Sequence, residues 1–159
     1  MNIPQTLVAL VSELGQHLGL NALRLDETGG CALVFDQRHT LSLQYRETEN
    51  ELWLYVDLGA VGERTADSYE RLLQANLFWQ MTMGATLSLS GDTPPHVVLA
   101  RALHWQGMDG SALGATVTTF LHTTEDWAEN LNSADAGAAP LNAAGMPLND
   151  IMDALRTRA

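Results

Sequence analysis

The sequence contains no lysine, so all eight of its basic residues are arginine, and it contains one cysteine, Cys31. A lone cysteine excludes an intramolecular disulfide and a cysteine-cluster metal site, and it fits a reducing compartment. We read it as a buried small hydrophobe rather than a reactive thiol. Positive charge is scarce: nineteen acids oppose the eight arginines, for a formal net charge of −11. Nucleic acid and anionic lipid both require a cationic footprint that this balance does not supply, whereas a basic or neutral protein partner is compatible with it. No run of about 18 apolar residues is present to span a membrane. The opening stretch MNIPQTLVAL has neither a basic start nor a small-residue cleavage site, and is expected to be mature sequence rather than a secretion signal. Also missing are a Gly-rich phosphate loop, a nucleophile elbow, an H-E-x-x-H pair and a calcium loop.

What is present is the composition of one globular domain: 159 residues, 46% hydrophobic and 17% charged. Leu7, Leu10, Val11, Leu14 and Leu18 recur at helical spacing, with Pro4 in the first turn, Asn2 as a cap and Gly19 as the stop. From Cys31 the period becomes two, through CALVF, TLSLQYR and ELWLYVDL, predicting three antiparallel strands joined by short connections at 36–39 and 47–50. The third strand carries Trp53 and Tyr55 on the face opposite Leu52, Leu54 and Val56, where a solvated sheet face is normally polar. After a loop at Gly59 to Arg64, Asp67 and Glu70 form a D-x-x-E helix start, and the spacing predicts a helix from about Ala66 to Met81, ended by Gly84. ATLSLS and HVVLARALHW then read as two strands around a GDTPP turn. Asp109 can cap a final helix in which Leu113, Phe120 and Trp127 repeat every seven residues, as do Val117, Thr124 and Leu131. The order is α-β-β-β-α-β-β-α, an α+β domain with a mostly antiparallel twisted sheet over residues 1–132. Residues 133–159 read as an Ala/Gly/Pro-rich flexible tail in which PLNDIMDALR could form a short terminal helix.

Chemistry has little to stand on. The five histidines (His17, His39, His96, His104 and His122) fall on different elements, with no two sharing a helical i, i+4 face. His122 with Glu125 gives one H-x-x-E, for which a solvent-facing pair is favoured over a ligand set. Adjacent acids (Glu125 with Asp126, Asp26 with Glu27) would need burial to split their pKa values before serving as acid and base. A triad built from Ser88 or Ser90 with His96 or His104 is conceivable but unsupported by any motif. The expectation is no catalytic residue, no metal and no cofactor.

One segment carries more apolar surface than a single stripe needs. In LLQANLFWQMTM, Leu72, Leu73, Ala75, Leu77, Phe78, Trp79, Met81 and Met83 spread around the whole predicted helix. Either the domain's own sheet and terminal helices wrap it, or a second copy of the chain covers its far side; we favour the homodimer, with Leu73, Leu77, Phe78, Trp79, Met81 and Met83 at the interface.

The run YERLLQANLFWQMTMGATLSLS, followed by VVLARALHWQGMDGSALGATVTTFLHTTEDWAENL, resembles the signature region of the Tir chaperone family, the class I type III secretion chaperones. Ala75 to Phe78 match the A-N-L-F helix end, Gly84 to Leu89 the turn and strand, and Asp109, Leu113, Phe120 and Trp127 the last helix; Met83 departs from the pattern, where a second glycine is common. The resemblance spans roughly Met1 to Asn132. It implies a bacterial cytoplasmic homodimer, not an enzyme. Such a chaperone binds the N-terminal segment of one or more secreted effector proteins, keeps it export-competent and delivers it to the secretion apparatus, with the secretion ATPase as a candidate receiver. An extended effector segment could add a strand to a sheet edge and seat side chains in apolar pockets. For those pockets the candidates are Trp53 and Tyr55 bordered by Leu7, Val11 and Leu14, with Phe120 and Trp127 either forming another or belonging equally well to the core. The alternative is a small-molecule or peptide-binding α+β module unrelated to secretion.

Overall fold

The structure, a computed structural model, describes residues 2–35, 37–60 and 66–132. The tail from residue 133, most of the loop before the second helix, and the side chain of Asp67 in the expected helix start lie outside the described residues.

Helix α1 spans Gln5–His17 and buries Leu7, Leu10, Val11 and Leu14, the stripe read from the sequence. Its start differs from the expectation. Pro4 itself occupies the capping position in an extended conformation with no side-chain cap, and the Asn2 N–H donates to Glu47 Oε1 at 3.1 Å, tying the entry of the helix to the turn at 47–50. At the other end Gly19, at φ 70°, takes the left-handed conformation that lets the chain turn away, and Leu18 is left facing solvent.

Five antiparallel strands follow: β1 Gly30–Phe35, β2 His39–Arg46, β3 Glu51–Ala60, β4 Thr86–Leu89 and β5 His96–Leu103. Their order across the sheet is β1-β2-β3-β5-β4, so β1 and β4 are the edges. Alternation sends Leu41, Leu43, Tyr45, Leu52, Leu54, Val56, Val97 and Leu99 to one face, all buried. Helix α1 packs against the last helix, α3, Gly110–Asn132, which also lies on β3. Asp109 Oδ1 accepts the Ala112 N–H at 2.8 Å, the expected cap of α3. The two helices meet tightly because residue 110 is glycine: a Cβ there would stand 2.6 Å from Glu13 Cβ, and the Gly110 N–H instead donates to Glu13 Oε2 at 3.0 Å.

The second helix is shorter than its sequence suggests. Helix α2 covers Ala66–Ala75 and stops there, six residues before the predicted end at Met81. Helix formation loses to a side chain. Asn76 turns its amide onto β4, accepting the Leu87 N–H at 2.8 Å and donating to the Leu87 carbonyl at 2.9 Å. Beyond it Leu77–Trp79 form one 3-10 turn in which Phe78 and Trp79 take left-handed φ values of 55° and 52°. The Trp79 indole donates to Thr86 Oγ1 at 3.0 Å, and its carbonyl accepts the Gly84 N–H at 3.2 Å, closing the turn. Apolar residues that a continuous helix would have wound around its circumference are instead gathered on a loop.

Candidate protein-binding surfaces

Among the described residues, three surfaces remain once the core is closed. The first runs along α2, the 3-10 turn and β4. Leu73, Phe78 and Trp79 are 73%, 59% and 53% exposed, and Leu77, Met83 and Leu89 are also exposed. Tyr69, Leu72, Leu73, Leu87, Ser88 and Leu89 line a groove of about 300 Å³ in this region. Five of the six residues expected at a dimer interface are therefore exposed in the single chain; Met81 is half-buried, its carbonyl accepting the Trp127 indole N–H at 3.1 Å. A contiguous apolar patch of this kind marks a contact surface. Met83, where the family pattern commonly has glycine, sits at φ 50°, a conformation in which glycine carries no steric penalty.

The second surface is the outer face of the sheet. Register places Ser42 opposite Tyr55 and Gln44 opposite Trp53, with Ala102 beyond Trp53 and Ala100 beyond Tyr55. None of these side chains is buried. The two aromatics stand among small and polar neighbours, and the Trp53 indole donates to Glu51 Oε2 at 3.1 Å. Acidic groups flank them: Glu51 at one end, and at the other Asp57, whose Oδ2 lies 2.7 Å from His96 Nδ1.

The third is the β1 edge. The Tyr45 N–H donates to the Gly29 carbonyl, which sets the phase of the ladder so that Gly30, Ala32 and Val34 turn their N–H and C=O groups away from β2. Asp26 occupies the first of these positions: its N–H donates to the Gly30 carbonyl at 2.8 Å and its Oδ1 accepts the Gly30 N–H at 3.0 Å. Hydrogen bonds from Thr28 and Gly30 hold the Asp26 carboxyl below the usual carboxylate range. Ala32 and Val34 remain open, and the Val34 side chain is 74% exposed. Cys31 is half-buried against the core, less than the full burial expected; that burial, aided by the Asp26 charge, pushes its thiol up to about 11.

Not every expected binding residue reaches these surfaces. Leu7, Val11 and Leu14 are fully buried between α1 and the inner sheet face, so they do not border Trp53 and Tyr55, which lie on the opposite face. Phe120 and Trp127 are likewise core, on the buried side of α3. The amphipathic stripe of a terminal helix is the cheapest cover for a sheet, and that use takes all five. Conversely the sequence reading missed Ala32 and Val34; the signal was an uncharged strand, CALVF, opening a run of consecutive antiparallel strands and therefore at its edge. His122 and Glu125 are an exposed pair 3.4 Å apart. Among the described residues no three His, Cys, Asp or Glu side chains stand together as a metal site, and no helix is long and apolar enough to cross a membrane.

The fold is an antiparallel sheet backed by helices, with an open edge and exposed apolar side chains of the kind other protein chains cover. The chain belongs to the Tir chaperone protein (CesT) family, which it matches over residues 9–128. The same fold occurs in the ExsC-ExsE complex (TM-score 0.72, 22% identity, 84% of this chain and 99% of that one). It occurs in the HopA1-SchA chaperone-effector complex (TM-score 0.66, 17% identity, 80% and 99%). It occurs again in the Yersinia pestis type III secretion chaperone SycH, solved with a stable fragment of YscM2 (TM-score 0.60, 23% identity, 75% and 97%). No curated protein matches the chain by sequence.

Proposed function

We propose that this chain is a type III secretion chaperone that acts as a homodimer in the bacterial cytoplasm. It holds the N-terminal segment of one or more secreted effectors in an export-competent state and delivers it to the secretion apparatus, with the secretion ATPase as the candidate receiver. Family membership over residues 9–128 is the observation that carries this reading. The three surfaces supply a physical route. An extended segment adds a strand at Ala32 and Val34, whose main-chain groups turn away from β2, and lays alternate side chains on the sheet face that also carries Trp53 and Tyr55 two strands further in. The acidic balance, with Glu51 and Asp57 beside those aromatics, suits a basic effector segment. The α2 to β4 patch meets its counterpart on a second copy, and two binding faces on one dimer raise avidity for a single wrapped chain. No chemical step enters this account, and the chain is read as a non-enzyme.

Affinity purification of the protein from its own cells under secretion-inducing conditions, followed by mass spectrometry, tests the reading. A co-purifying protein that is itself secreted is expected, and its loss with Val34→Pro, which denies the edge a donor, is expected too. Recovery of no secreted protein would count against the chaperone role.

A further inference from the structure

The two edges of this sheet are not equally available, and a single side chain makes the difference. On β4 the Ser90 N–H donates to the His96 carbonyl, so the ladder phase turns the main-chain groups of Ala85, Leu87 and Leu89 outward. Two of these three positions are already occupied. The Ala85 N–H donates to the Thr82 carbonyl at 2.9 Å and the Ala85 carbonyl accepts from Thr82 Oγ1; Leu87 is held on both groups by the Asn76 amide. Among the described residues, only the outward groups of Leu89 are left. On β1 two consecutive outward positions, Ala32 and Val34, are open. Two neighbouring outward residues can register an incoming strand; one cannot.

We propose that the Asn76 side chain is a plug on the β4 edge. By imitating the main-chain amide of a sixth strand at Leu87, it confines strand addition to β1 and keeps β4 from pairing with other extended chains. An asparagine suits this task because one short side chain carries both a donor and an acceptor in the spacing of a peptide group. Its position at the end of α2 also explains why the helix stops there: continuing to Met81 would withdraw the amide from Leu87. Strand β4 has reason to be guarded, being a stretch of TLSL with no charge and no proline beside an apolar groove.

The plug borrows from the proposed function only the idea that strands are offered to this sheet, and its test is separate. Asn76→Ala is compared with the unaltered protein by amide exchange at Leu87 and by light scattering. Exchange at Leu87 is expected to quicken by about tenfold, the effect of losing a hydrogen bond worth roughly 1.4 kcal/mol. The mean mass is expected to rise above that of the unaltered protein at equal concentration. Unchanged exchange and unchanged mass in Asn76→Ala would overturn the plug. Should circular dichroism show that Asn76→Ala does not fold, Asn76→Leu replaces it, keeping the side-chain volume and losing both hydrogen bonds to Leu87; the same two readings decide. The mass of the unaltered protein bears on the homodimer alone, so the two ideas fail separately.

Discussion

Asp26 ties the start of β1 to the turn before it through contacts that favour its ionised form. Its carboxyl pKa is depressed in the folded chain relative to a usual value of 3.8. The stabilisation is therefore complete above about pH 4 and is lost as the pH falls through the lower folded value. Asp26→Asn is expected to flatten the part of the acid limb that lies below pH 4, which thermal midpoints measured at a series of pH values would show. An identical acid limb in both proteins would mean that the Gly30 contacts owe nothing to the charge. Asp26 and Asn76 do similar work at opposite edges, and neither role is visible in a sequence, because both depend on which carbonyl the fold brings within reach.

At the scale of elements, strands were the legible part. Period-two alternation with short connections located β1, β2 and β3, and the turn residues around GDTPP separated β4 from β5. The end of α2 was not legible, because the run from Leu77 to Met83 contains nothing that forbids a helix; the competing partner lies eleven residues on, at Leu87. The helical apolar residues expected at binding pockets are buried in the single chain for a related reason: periodicity says that a stripe is covered, not by what. The contrast can be measured with denaturant melts. Phe120→Ala, in the core, is expected to cost about 3 to 5 kcal/mol. Tyr55→Ala, on the uncovered face, should cost no more than about 1 kcal/mol and act on effector binding instead. Equal losses would place Tyr55 in a packed environment that its 38% exposure contradicts.

For the whole molecule, the open question posed by the sequence was what the surplus apolar surface of the ANLFWQM run is for. In the fold that surface faces outward from a loop, not around a helix buried on two sides. If the homodimer is correct, light scattering at micromolar concentration will give twice the 17.3 kDa chain mass. Phe78→Asp, which puts a charge on the patch without touching the core, should bring it to one chain. A single-chain mass for the unaltered protein would remove the homodimer.

Trp79 is half exposed on that patch, with its indole N–H fixed on Thr86, while Trp105 and Trp127 are shielded in the interior and the half-buried Trp53 stands on the outer sheet face. The chain thus carries its own optical gauge: burying Trp79 against a second copy would shift its emission to the blue, so assembly could be followed by dilution in a fluorimeter with no label attached.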